Sequence, residues 1–152
     1  MRNEELLIRL TQTQGIAGYE KKVRELIEEE VRPYADELIV DPLGSLIAVK
    51  KGKGGPRSKK IMFAAHMDEI GFMVKKIEED GRLLVCNVGW NWTASAYNTR
   101  VVFRNGIYGV VSSMNNIEDV HNDPNALFID IGAKSKADAL KFLIFVPFWA
   151  FC

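Results

Sequence analysis

His66 and Asp68 are the side chains of this sequence whose types and spacing best suit chemistry. They follow an apolar run within Ile61 to Val74, IMFAAHMDEIGFMV. An imidazole can ligate a metal ion while a neighbouring carboxylate fixes which ring nitrogen is free to do so. Side chains alternate across a strand, so residues two apart point the same way if the extended conformation persists. The same spacing also fits a hydrogen-bonded structural histidine or a solvated loop, and the pair alone leaves these readings open.

The elements that must position the pair can be read outward from it. Ile61 to Ala65 predicts a buried strand that delivers His66 at its end. Upstream, Leu6, Leu7 and Leu10 have helical spacing, and Gln12 to Gly18 is a polar, glycine-bearing break. A second helix begins near Tyr19, places Val23, Leu26, Ile27 and Val31 on one face, and stops at Pro33. Leu38 to Val40, the turn Asp41-Pro42-Leu43-Gly44, and Leu46 to Val49 read as a hairpin. Downstream, Gly71 to Ile77 with Arg82 to Val88, and Arg100 to Phe103 with Ile107 to Val111, predict two more hairpins. A strand at Leu127 to Ile131 follows, and Ser135 has the chemistry of an N-cap for a last helix through Ala137, Ala139 and Leu140. Short strands at this density predict a small barrel or sandwich, distinct from the helix-rich first part. The change of pattern puts a domain boundary near Glu69 to Phe72, with the His-Asp pair expected where two domains meet.

Other groups compete for a functional reading. Glu28 to Glu30 is acidic enough for a cation, but consecutive helical residues fan out around the axis, so a solvated face is expected. Lys50 to Lys60 is basic and glycine-rich, yet it lacks the lysine-hydroxyl ending of a phosphate loop and feeds a strand, so a connector is expected. Trp90 and Trp92 could be a stacking platform for a ligand, although packing of their loop against the barrel is the simpler expectation. His121, beside Asp119 and Asp123, could form a second metal group; its polar loop with Pro124 favours a solvated histidine.

Composition narrows the classes. The 152 residues are 47% hydrophobic and 26% charged, as in a globular chain long enough for a real core. Twenty basic residues balance 20 acidic ones, so no global field recruits nucleic acid or an anionic membrane. Two cysteines, Cys86 and Cys152, lack metal-ligand spacing and fit a reducing compartment, and the N-terminus lacks the apolar core of a signal peptide; the cytoplasm is expected. The tail Phe142 to Cys152, FLIFVPFWAFC, has no charged residue and holds four of the eight phenylalanines. It is far shorter than the ~20 residues of a membrane helix and contains Pro147, which leaves a buried strand, a partner-contact segment, or a translated sequence unrelated to what should follow.

From about Leu10 to Lys141 the chain resembles the N-terminal part of the glutamyl and tetrahedral aminopeptidases, cytoplasmic di-metal peptidases also called cellulase M or endoglucanase. The resemblance is carried by GIAGYE at Gly15 to Glu20, DPLGSLIA at Asp41 to Ala48, AAHMDEIGFMV at Ala64 to Val74, VGW at Val88 to Trp90 and LFIDIGAKSKADA at Leu127 to Ala139. Ala17, Ser45 and Val88 depart from the family's serine, asparagine and glycine. The resemblance implies an α/β fold: part of a phosphorylase/hydrolase-like peptidase domain at residues 1–70, then an inserted and incomplete β-barrel for assembly at 71–141, and the apolar tail at 142–152. It implies that His66 is a ligand of one metal ion, that Asp68 is the catalytic-site carboxylate orienting it, and that the complete site holds two divalent ions, zinc or cobalt. It assigns Glu69 no role. In the family the bridging carboxylate, the remaining ligands and the proton-shuttling glutamate lie beyond the barrel, and no Glu-Glu pair here matches the catalytic one.

The expected function is therefore that of a metal-dependent aminopeptidase acting on short peptides, here as a truncated chain inactive on its own. The expected partner is a second copy or a complementing chain, with neither nucleic acid nor membrane. Two other classes stay open: a non-catalytic assembly module, and a β-glucan hydrolase, for which no pair of carboxylates is marked out.

Overall fold

In the computed structural model, residues 3–55, 59–90, 93–114, 126–143 and 149–151 are described. The chain divides into two compact units, Met1–Asp68 and Glu69–Cys152.

The first unit opens with helix α1 (Asn3–Gln12) and helix α2 (Lys21–Val31). Glycine at position 15 permits the break between them to approach α2 closely, because a Cβ there would stand 2.5 Å from Val23 Cγ2. Ile16 and Val23 are the buried apolar side chains among the described residues of this unit. Pro33 falls in a single 3-10 turn (Arg32–Tyr34) that ends α2, as its missing N–H predicts. The expected hairpin follows as β1 (Glu37–Val40) and β2 (Leu46–Val49), paired antiparallel from Glu37↔Val49 to Val40↔Leu46. Asp41 shapes its turn by accepting the N–H groups of Leu43 and Ser45, and Arg24 donates to the Gly44 carbonyl at 3.1 Å.

The strand expected at Ile61 to Ala65 is absent. The segment carries no regular structure, and Ile61, Met62 and Phe63 are 80%, 88% and 95% exposed. An apolar run becomes a buried strand only where a neighbouring strand takes its backbone groups and a core covers its side chains. Among the described residues of this unit, a two-stranded ribbon and two buried apolar side chains provide neither.

The second unit is an antiparallel curled sheet. Its strands are β3 (Gly71–Ile77), β4 (Leu83–Val88), β5 (Arg100–Phe103), β6 (Tyr108–Ser113) and β7 (Leu127–Asp130), hydrogen-bonded in the order β3-β4-β7-β6-β5. A further short strand, β8 (Trp149–Phe151), pairs with β3 and with β5, so the strand order closes on itself. Period-two alternation turns Phe72, Val74, Leu83, Val85, Val101, Phe103, Val111, Leu127 and Ile129 to one buried cluster. Burying each such side chain stabilises the unit by roughly 1.5–3 kcal/mol. Gly109 brings β6 against β7, since a Cβ there would lie 2.4 Å from Ile129 Cγ2.

Helix α4 (Lys136–Leu143) adds Ala139 to the same cluster. Ser135 Oγ accepts the Asp138 N–H at 3.2 Å, the expected N-cap, and Lys136 N–H donates to the Glu79 carbonyl at 3.1 Å, fixing the helix start to the β3–β4 turn. The stretch Trp90 to Thr99, aperiodic in sequence, contains the short helix α3 (Thr93–Ala96). No helix among the described residues is long and apolar enough to cross a membrane.

Candidate functional site

His66 and Asp68 meet although no strand carries them. His66 Nδ1 lies 3.1 Å from Asp68 Oδ1 and 3.0 Å from the Asp68 carbonyl oxygen. Both neighbours are acceptors, so Nδ1 is the nitrogen that donates. In the neutral ring Nε2 then keeps its lone pair, the state a metal ligand requires. The His66 side chain is 85% exposed and that of Asp68 40%, which leaves Nε2 open to solvent.

The resemblance implies two divalent ions in the complete site. Among the described residues no group of three or more His, Cys, Asp or Glu converges on one point. Catalytic zinc normally takes three protein ligands and structural zinc four. The described residues therefore fit one coordination position and not a complete site.

Several other acidic groups are engaged elsewhere. Glu29 and Glu30 take Arg9 of α1 at 3.3 and 2.8 Å, and Glu28 pairs with Arg32; Glu29 is exposed as expected of a solvated face, whereas Glu28 and Glu30 are only partly so. Glu78 takes Lys76 Nζ at 2.8 Å, and Glu79 takes Lys136 Nζ at 3.3 Å. Asp36 ties down the start of the basic link through the Lys51 N–H and Lys50 Nζ, which hold its carboxyl below the usual range. The Arg82 guanidinium and N–H do the same for Asp80.

Trp90 does not pack as expected: it is 85% exposed. Gly89, at φ +76°, lies between the end of β4 and this exposed indole. Trp92, His121, Asp119 and Asp123 lie outside the described residues. Sequence reasoning passed over two arginine–aromatic contacts of the sheet, Arg82 over Phe128 at 5.0 Å and Arg100 over Tyr108 at 5.4 Å. Each pair stands on neighbouring strands or at a strand end, and nothing in the linear pattern marks that adjacency.

Comparison with known proteins gives a consistent family. A sequence profile described as M42 glutamyl aminopeptidase matches residues 44–146. A provisionally named aminopeptidase of Acetivibrio thermocellus is 46% identical over 138 residues, covering 90% of this chain and 41% of the relative. The crystal structure of a TET aminopeptidase from a marine sediment thaumarchaeon matches with a TM-score of 0.83 at 32% identity, over 99% of this chain and 44% of that one. The TET1 peptidase of Pyrococcus horikoshii, described as able to assemble into a tetrahedron or a large octahedral shell, matches with a TM-score of 0.77 at 33% identity, over 97% of this chain and 45% of that one. The chain thus spans about two fifths of the length of the curated relative quoted.

Proposed function

This chain belongs to the M42 glutamyl aminopeptidase family, and from that premise we propose that it is an aminopeptidase-type protein in which His66 ligates a divalent metal ion and Asp68 orients the imidazole. The observation that carries the reading is the pair of contacts at His66 Nδ1, which set the tautomer and leave Nε2 free. Both residues fall within the span of the family match. M42 peptidases are generally dimetal enzymes, and a bound divalent ion supplies a Lewis acid that polarises the peptide carbonyl and acidifies water. What this chain's own residues do is narrower. His66 presents one nitrogen, and Asp68 prevents the ring from turning its other nitrogen outward.

One histidine holds a zinc ion weakly, so the 152 residues by themselves are proposed to bind metal loosely and to turn over no peptide. On this reading the second unit is the small β-barrel domain inserted in the peptidase fold, the substrates of the complete enzyme are short peptides, and the compartment is the cytoplasm. The test is titration of zinc and cobalt into the purified chain, with an assay on aminoacyl p-nitroanilides. Loose binding that disappears in His66→Ala, without turnover, is expected; tight stoichiometric binding with turnover overturns the one-ligand view.

The alternative, a non-catalytic assembly module, is not favoured, because the assembling structure that this chain resembles is itself described as a peptidase.

A further inference from the structure

We infer that Gly15 is a positioning residue for the His66–Asp68 pair, acting through the backbone of Met67; the inference rests on the proposed reading of His66 as a metal ligand. The pair spans a single residue, so its geometry follows the backbone dihedrals across Met67. No strand fixes that backbone, and the His66 side chain, 85% exposed, gains little support from packing. The chain is exposed from Lys59 to His66 and becomes half-buried at Met67. Gly15 is a neighbour at that point: a Cβ added to it would lie 3.4 Å from the Met67 carbonyl oxygen, at contact distance.

The turn that carries Gly15 is well anchored. Ile16 is fully buried, the Tyr19 N–H donates to its carbonyl at 2.8 Å, and the Gly18 N–H donates to the Glu20 carboxylate at 2.7 Å. Thr13 Oγ1 donates to the Arg9 carbonyl at 2.6 Å and ties the turn to the end of α1. There is no spare room, since the same added Cβ would stand 2.5 Å from Val23 Cγ2. Valine is stiff at χ1, and a buried one in a packed interior has little freedom to swing aside. An added methyl therefore displaces the turn, and the Met67 carbonyl is within its reach. Moving that carbonyl turns the peptide that joins Met67 to Asp68, and with it both acceptors of Nδ1, the Asp68 carboxylate and carbonyl. Without those acceptors the ring is free to take the other tautomer, in which Nε2 carries the proton and offers a metal no lone pair. Gly15 is not in the left-handed region, so alanine there tests space alone.

Nitrogen-15 labelling of histidine reads the tautomer in the metal-free chain, with His66→Ala assigning the signals. The wild-type ring is expected in the Nδ1–H form. Gly15→Ala is expected to shift it toward the Nε2–H form and to weaken zinc binding, read by competition with a chromogenic chelator, by about 10-fold. Adding Val23→Ala, which removes the crowding methyl, is expected to restore both. Gly18→Ala, strained at φ +85° in the same turn but with nothing within 4 Å of the added carbon, is expected to leave the ring as it is. A folded Gly15→Ala chain with the wild-type tautomer overturns the proposal, as does an equal shift in Gly18→Ala. Should Gly15→Ala fail to fold, Ile16→Val, which trims the buried anchor of the turn by one methylene, is expected to give a smaller shift of the same sign; an unchanged ring there overturns the proposal. A wild-type Nδ1–H ring that binds no zinc overturns the metal reading, while the tautomer shift still decides the role of Gly15.

Discussion

Asp68 Oδ1 lies 3.1 Å from His66 Nδ1, and the two residues contact each other across one intervening methionine without the help of a strand. The carboxylate fixes the ring more by acceptor chemistry than by burial, since the imidazole is largely exposed. Replacing Asp68 with alanine is expected to weaken zinc binding by about 10-fold, the lower end of the range for partners of metal-ligating histidines. Asp68→Asn should recover part of the loss, because its carbonyl oxygen still accepts from Nδ1. Competition with a chromogenic zinc chelator measures both, and equal affinity in all three proteins would remove Asp68 from the site.

Gly81 closes the β3–β4 turn at φ +92°, and a Cβ there would meet the Ala133 carbonyl oxygen at 2.7 Å. Gly81→Ala suffers both from the left-handed backbone and from the clash with backbone atoms, which cannot yield as a flexible side chain would. A loss of about 1–3 kcal/mol is expected in urea unfolding of the second unit. Gly106→Ala, at φ +84° with nothing within 4 Å of the added carbon, isolates the backbone contribution and is expected to cost less.

Asp41 gives a pH dependence whose sign follows from its contacts. Hydrogen bonds from Ser45, chiefly its N–H, and then from Leu43 and Gly44 hold the carboxyl below its ordinary value. A group depressed in the folded state contributes stability that is fully present above its unfolded pKa of about 3.9 and is lost as pH falls through the folded value. The hairpin should therefore soften in acid below about pH 4. In Asp41→Asn this acid-dependent part should vanish. Thermal melts of the two proteins between neutral and strongly acidic pH are expected to converge at the acid end.

Phe63 is 95% exposed inside an apolar segment. Phe63→Lys is expected to change unfolding free energy by no more than about 0.5 kcal/mol, the usual range for a surface site. The same change should lower aggregation and the binding of hydrophobic dyes, because it interrupts an exposed apolar run. A large loss of stability would mean that the segment is packed.

Much of the second unit was legible because its signals are local. Alternation in Phe72–Val74 and Leu83–Val85, glycines at the turns, and Ser135 before α4 each act within a few residues, and those hairpins and that helix form where the pattern put them. The reading failed at Ile61 to Ala65, because a run of apolar residues states only that a strand is suitable, not that partners exist to pair and cover it. It failed at Trp90 for a related reason, since the exposure of one aromatic residue depends on what the rest of the chain brings beside it.

What the sequence determined by itself was family membership and the identity of the candidate pair, because motif chemistry and i, i+2 spacing are written in residue order. What only the tertiary structure decided was which nitrogen of His66 is engaged, that the acidic groups of α2 and the β3–β4 turn are committed to arginine and lysine, and that β8 pairs with both outer strands of the sheet. Those are facts of distance between residues far apart in the chain or of rotamer choice within it, and neither is encoded in spacing alone.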